Sequence, residues 1–399
     1  MKNTSCKEIA RGTLSLCLAG RAPAEFPLEL ARDDLGDALF GILVEGLADR
    51  FEPSLCDAYA RLFSQAVARS ADGLDAAALV ERYERVRRVR PVAGDPRRVF
   101  VLSRVTLGAD VAVTSVLLAA AKVRFPRAEI VFVGPRKNYE MFAGDPRIHH
   151  AEIAYLRGGL RQRLAVFGEL KQLLAAPDGV TVDPDSRLTQ LGLLPVCSED
   201  RYYFFESRAY GSQTSLALPE LAAAWAAETL GVPGMKPYMA LESPSSHAGC
   251  FAVSLGVGDN PAKRLPDPFE EELLRLLAAA GAPICVDTGA GGEEARRVER
   301  AVERSGVQAT YWEGSFAGFA SIVAGSSLYV GYDSAGQHVA AAAGVPLISV
   351  FTGFPVSRMF ERWRPVGEHC HVIRVERPDV GATLEQVRKA LVQLAYDKF

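Results

Sequence analysis

Long hydrophobic runs are missing from these 399 residues: none approaches the roughly 18 consecutive apolar residues that a membrane-crossing helix requires. A surplus of one charge is missing too. The 45 basic and 48 acidic residues leave a net charge of −3, which provides no global field to gather nucleic acid or an anionic lipid surface. There is no CxxC pair. The seven cysteines (Cys6, Cys17, Cys56, Cys197, Cys250, Cys285 and Cys370) are odd in number and widely spaced, a pattern of reduced, buried thiols rather than of disulfides or a zinc site. The nearest approach to a metal cluster, His369, Cys370 and His371, alternates along a strand, so the cysteine points away from the two histidines. The apolar stretch Thr13 to Gly20 follows Glu8 and Arg11 and has Leu16 where a lipoprotein signal needs a small residue, so a cytoplasmic location is expected. What is present, 49% hydrophobic and 23% charged residues, is an ordinary folded chain long enough for two or three domains.

The periodicity divides the chain. Leu28, Leu35, Leu39, Ile42, Leu43 and Leu47, then Tyr59, Leu62, Phe63 and Val67, recur at helical spacing, with a fresh start at Pro53 and Ser54 and a break at Asp72 and Gly73. This predicts an all-helical N-terminal region over residues 1–95. The seven arginines of Arg82 to Arg98 lie beside Glu81 and Glu84 with no aromatic platform after them, which reads as a solvated linker rather than a nucleic-acid arm. From Val99 the pattern changes to strands alternating with helices: 99–102, 129–134 and 179–183 as strands, then 251–255, 283–288, 327–331 and 346–352 as a second series. The Pro-, Gly- and Ser-rich stretch Pro233 to His247 separates them, giving domains of 96–240 and 241–399. The fold class is α/β, two parallel-sheet domains facing each other after a helical segment.

In open parallel sheets ligands lie beyond the carboxyl ends of the strands, so the strand-to-loop junctions are the places to search. In GYDSAGQHVAAAAGVP (331–346), Asp333 and Ser334 end a strand and open a small-residue helix whose first backbone N–H groups form a ready anion site. In SLGVGDNPAKRLP (254–266), Gly256 and Gly258 let the backbone approach a ligand, and Lys263 and Arg264 can neutralise a phosphate, although no GK[ST] loop occurs. DTGAGGEE (287–294) is a glycine turn around Gly289 that can admit a nucleotide or serve as an ordinary left-handed turn. In SRVTLGADVAVTS (103–115), Asp110 follows Gly108 and is either a general base or a helix N-cap. Asp183 and Asp185 form a DxD that fits a plain turn as well as a metal site.

Together these stretches resemble glycosyltransferase family 9, the ADP-heptose lipopolysaccharide heptosyltransferases and their relatives, over about residues 97–370. The most specific part is GSFAGFASIVAGSSLYVGYDSAGQHVAAAAGVP with the FTG that follows. The resemblance implies a GT-B fold, two Rossmann-like domains facing a cleft, and inverting transfer of a sugar, heptose being one candidate, from a nucleoside-diphosphate donor without a metal or other cofactor. It places the catalytic base at Asp110, the phosphate-binding lysine at Lys263, and a D[ST]GxxH motif at Asp333, Ser334, Gly336 and His338, with Gly256 and Gly289 beside the donor. The implied partners are the nucleotide sugar and a glycan, lipid-linked or protein acceptor, with no nucleic acid; the N-terminal helices are candidates for self-association. The chain departs from the family pattern where Ala109 is inserted before Asp110, and where Ala335 and Gln337 replace the usual residues of the helix motif. Two alternatives stand beside the transferase: a nucleotide-binding or assembly protein of the same fold without transfer, and a sugar-nucleotide epimerase.

Overall fold

Short runs of β-branched and aromatic residues pair into two parallel sheets in this computed structural model, which describes residues 2–396 apart from 244–247, 259 and 290. The end of the expected boundary stretch, at residues 244–247, and one residue in each glycine loop, Asp259 and Ala290, lie outside the described residues. The first sheet contains β1 (Arg98–Leu102), β2 (Glu129–Gly134), β3 (Ile148–Glu152), β4 (Gly179–Asp183) and β5 (Tyr202–Phe204), in the order β3-β2-β1-β4-β5. The second contains β6 (Phe251–Ser254), β7 (Ile284–Asp287), β8 (Thr310–Trp312), β9 (Leu328–Tyr332), β10 (Leu347–Phe351) and β11 (Cys370–Arg374), in the order β11-β10-β9-β6-β7-β8. β4, β9 and β10 are buried along their whole length, as strands covered on both faces must be. Both sheets are doubly wound. Their strand order reverses between β1 and β4 and between β6 and β9, and these reversals are where such sheets open a crevice.

The chain divides into two units. The first takes in the N-terminal segment to Thr106, Val116–Tyr139 and Pro146–Lys236; the second takes in Leu107–Ser115, Glu140–Asp145 and the chain from Pro237 onward. The helices Lys2–Leu18, Pro53–Ser70 and Ala76–Val86 are not an independent module. Leu39, Phe63, Leu79 and Tyr83 share one core with Phe100, Leu102, Val131 and Phe204 of the first sheet. The arginine-rich segment departs from the solvated-linker expectation for the same reason. Arg82 is 5% exposed, donates to Gly192 O at 2.8 Å and lies 4.7 Å over the Tyr202 ring; Arg90 lies 4.3 Å over Tyr203; Arg85 pairs with Glu199 at 2.9 Å. Arginine stems cover apolar surface while their planar heads stack and donate, so the run fastens helix Ala76–Val86 to the sheet. The seven cysteines are free thiols, four of them buried, and burial pushes Cys285 and Cys370 up to about 11.

Candidate functional site

At the reversal point of the second sheet, the loop after β6 and the loop after β9 meet. Lys263, in a short turn Pro261–Lys263, sets its Nζ 2.6 Å from Asp333 Oδ2 and 3.3 Å from the Asp333 backbone oxygen. The turn is held from the far side by the FTG that follows β10: a Cβ on Gly353, whose φ is +72°, would fall 2.3 Å from Ala262 O and 2.8 Å from Lys263 N. Only glycine permits that approach. Beyond Asp333, helix Ala335–Ala343 begins with Ser334 as its extended N-cap residue. The Ser334 hydroxyl makes no capping bond; it lies 3.3 Å from the Tyr329 hydroxyl, and the first-turn N–H groups are not answered by that side chain. Gly336 is glycine for packing, because a Cβ there would stand 2.3 Å from Tyr329 Oη.

Inside this corner is a residue whose role the sequence did not disclose. Gln337 is fully buried, donates from Nε2 to Asp333 Oδ1 at 2.5 Å and to Trp363 O at 3.4 Å, and accepts at Oε1 from the Ser349 hydroxyl at 2.5 Å. Asp333 precedes the helix N-cap and Gln337 lies in its first turn, so their closeness in sequence was the available signal. His338 is also enclosed. Burial lowers its pKa to about 4, against the pull of Asp333 and with a smaller push from Lys263, so the ring is neutral at physiological pH.

The two glycine loops have a shared explanation. Glu294, in the first turn of helix Gly292–Ser305, accepts from Val257 N at 3.0 Å and Gly258 N at 3.2 Å. A Cβ on Gly256 would lie 3.0 Å from its Oε1, and one on Gly289, at φ +76°, only 2.1 Å away. The close backbone approach expected of Gly256 and Gly289 is therefore made here to a carboxylate.

Asp110 lies in the segment Leu107–Ser115, which groups with the second unit rather than with the strand it follows. A Cβ on Gly108 would meet Ala335 Cα at 3.0 Å and His338 Cδ2 at 3.2 Å, so this segment rests directly on the helix of the Asp333 motif. Asp110 is fully buried and its Oδ1 accepts the Thr114 hydroxyl at 2.6 Å. After one α-helical turn, Leu107–Ala109, the backbone widens to π-helical geometry over Asp110–Thr114 and returns to α-helix at Ser115–Arg124. A π-bulge absorbs one extra residue without changing the phase of the helix beyond it, which is what an inserted Ala109 requires.

The other sequence candidates are internal structure. Asp183 accepts from Ser186 N at 2.6 Å and from the hydroxyls of Thr189 and Tyr202, and burial raises its pKa to about 6. Asp185, with φ +70°, pairs with Arg208 at 2.9 Å. The DxD is a buried turn. Among the described residues no group of three or more His, Cys, Asp or Glu is placed to hold a metal ion, and no helix is long and apolar enough to cross a membrane.

Comparison with known proteins bears on the fold. Among the solved structures of similar architecture that the chain matches are the following. Against Escherichia coli heptosyltransferase WaaC with ADP-2-deoxy-2-fluoro heptose, the TM-score is 0.55 at 20% identity, covering 76% of this chain and 100% of that one. Against E. coli ADP-heptose lps heptosyltransferase II, it is 0.53 at 18% identity, covering 74% and 99%. Against the family 9 glycosyl transferase of Veillonella parvula, it is 0.57 at 16% identity, covering 76% and 98%. Likeness at such identities establishes the fold, and with two doubly wound parallel sheets that fold is GT-B. No curated protein matches the chain in sequence. On this fold, the match of residues 251–388 to a family model supports a nucleotide-sugar glycosyltransferase as the class. The model that residues 251–388 match is that of glycosyltransferase family 9 (heptosyltransferase).

Proposed function

We propose that this protein transfers a sugar from a nucleoside diphosphate to an acceptor hydroxyl with inversion and without a metal, and that heptose linked to ADP is the first donor to test. The bond from the anomeric carbon to the diphosphate oxygen breaks as the bond from the acceptor oxygen forms. The acceptor's proton passes to the Asp110 carboxylate, and the diphosphate leaves with its charge met by Lys263 and the N-terminus of helix Ala335–Ala343. The observation that carries this reading is the Lys263–Asp333 pair at the reversal point between β6 and β9, beside that helix tip. An ammonium has three donors, two of which go to Asp333, so the lysine is aimed and still able to serve a phosphate oxygen. The similar solved structures whose names include ADP or ADP-sugars support an adenine nucleotide as the first choice. A cytoplasmic location and a glycan, lipid-linked or protein acceptor belong to the same proposal.

A thermal-shift panel of ADP, UDP, GDP and CDP and their sugars identifies the donor, because a ligand that binds only the native state raises its melting temperature. With that donor, Asp110→Asn should lower kcat by on the order of a hundredfold or more while leaving donor affinity within about twofold. Asp110 is enclosed, so the acceptor hydroxyl must gain entry to it. Unchanged turnover in the variant removes Asp110 from the chemistry; donor binding without turnover in the wild type favours a binding protein on the same fold.

A further inference from the structure

Asp333 holds Lys263 with one carboxylate oxygen, Oδ2 at 2.6 Å, and a carboxylate gripped at one oxygen only can rotate about its bond to the chain. Its second oxygen is gripped by the amide of Gln337, at 2.5 Å. That amide has no freedom to turn over. The Ser349 hydroxyl of β10 donates to its Oε1 at 2.5 Å, and the Trp363 carbonyl, at the end of helix Ser357–Trp363, accepts from its Nε2 at 3.4 Å, so the NH2 group faces Asp333. We propose that Gln337 is a positioning residue for the donor: it locks Asp333, and through Asp333 it fixes where the Lys263 ammonium points.

The residue type suits the task. A lysine or arginine at this position would compete with Lys263 for the same carboxylate, and a glutamate would repel it. An amide donates to Asp333 without adding charge. The neighbouring His338 ring, neutral through burial, adds no competing cation. The chain of contacts runs from Ser349 in the sheet through Gln337 and Asp333 to Lys263, so the rigidity of β10 is passed to the tip of a flexible side chain. Four rotatable bonds make a lysine costly to order at the moment of binding, and prior fixation removes part of that cost.

This inference rests on the reading of Lys263 as the phosphate-binding group, and its test separates the two. The probe is whichever of ADP, UDP, GDP or CDP gives the largest thermal shift, its affinity measured by calorimetry for the wild type, Lys263→Ala, Gln337→Leu and the double variant. Gln337→Leu should weaken binding about fivefold to tenfold, raise the donor KM in proportion and leave kcat within about twofold. In the Lys263→Ala background the same substitution should have no further effect, because the group it positions is gone. Should Gln337→Leu fail to fold, Ser349→Ala, which frees the amide to turn over, should give a loss of about twofold to threefold that also disappears without Lys263. Unchanged affinity in Gln337→Leu, or an equal loss with and without Lys263, overturns the positioning role. If Lys263→Ala itself binds the nucleotide as the wild type does, the donor-site reading falls and this inference with it.

Discussion

The two sheets share one winding but treat their reversal points in opposite ways. After β1 and β4 the protein's own side chains fill the ground: Ser186 donates to Ser103 O, Arg104 to Pro184 O and the Ser207 hydroxyl, Ser207 to Asp185 Oδ2 at 2.8 Å, and Arg208 to Asp185. The N-terminal helices add Tyr83, bonded to Glu206, and Arg87, 2.9 Å from Glu206 Oε2. After β6 and β9 the protein's own groups also enter, Glu294 on the backbone of the β6 loop and Gln337 on Asp333, but Lys263 keeps a partly exposed side chain and the helix tip has no side-chain cap. A doubly wound sheet offers a crevice in both places; a binding site remains only where the chain does not satisfy the crevice itself. The first corner is closed by its own side chains; the second keeps an uncapped helix tip beside a lysine, which is where the donor is proposed to bind.

The sharpest way to break this contrast is to disturb the first corner alone. Arg208 and Asp185 are almost wholly enclosed, so Arg208→Met, which keeps most of the volume, leaves a buried carboxylate uncompensated. It should destabilise the protein by about 3–5 kcal/mol in denaturant unfolding. Replacing Asp185 by Asn as well, which removes the charge and tolerates the φ of +70°, should restore most of that loss. Nucleotide affinity of the folded fraction should not move; if it falls as far as stability does, the first corner is part of the donor site.

Acid separates the corners next. His338, depressed to about 4 in the folded state, binds fewer protons than its unfolded counterpart between about pH 4 and 6.5, so its contribution is complete above that window and is lost as pH falls through it. Asp183, raised to about 6, binds more protons folded than unfolded between about pH 4 and 6, so its contribution is present in acid and lost as pH rises. Each shift corresponds to something on the order of 3 kcal/mol. Hydrogen exchange resolved by unit should show the second unit gaining stability from pH 4 to 6 while the first loses it. Asp183→Asn should abolish only the first slope and His338→Asn only the second. A common slope in both units would mean that other groups dominate.

Most of the second sheet was legible because its signals are local. The strands over 251–255, 327–331 and 346–352 and the helix over 335–343 are written in apolar runs bounded by glycine, proline or a cap, and the structure places them within a residue or so. β8, with only Tyr311 and Trp312 in a polar setting, and β3, with two histidines at its centre, carry no such run. The site was legible by residue type and not by partner. Asp333 and Lys263 are 70 positions apart, and nothing in either neighbourhood says that they pair with each other. Gly256 and Gly289 announced a close approach, but the group approached, Glu294, is chosen by the packing of helix Gly292–Ser305. The arginine run misled for the same reason: its rings, Tyr202 and Tyr203, lie more than 100 residues further on.

Within the second corner, Lys263→Ala should weaken nucleoside-diphosphate binding by roughly tenfold to a hundredfold, about 2 kcal/mol. It should also lower the melting temperature, since Asp333 is buried and loses its cation, though less than at Arg208 because Lys263 is partly open to solvent. Added salt should narrow the difference between wild type and variant, because the lost interaction is between charges. An affinity that survives the substitution would make the two corners alike and leave the helix tip as the remaining anion-binding feature.

The smallest effect tests what the glycines are for. Gly289→Ala forces a side chain into a left-handed conformation and drives its Cβ toward Glu294 Oε1, whose partner oxygen is tied to Val257 and Gly258. The expected loss is about 1–2 kcal/mol. Glu294→Ala alone should lose about 1 kcal/mol by withdrawing the acceptor from those two N–H groups. Combined, the losses should fall short of their sum, because the alanine at 289 no longer meets a carboxylate and only the backbone strain remains. Strict additivity in denaturant unfolding would separate the turn from Glu294, and Gly289 would then be glycine for its φ of +76° alone.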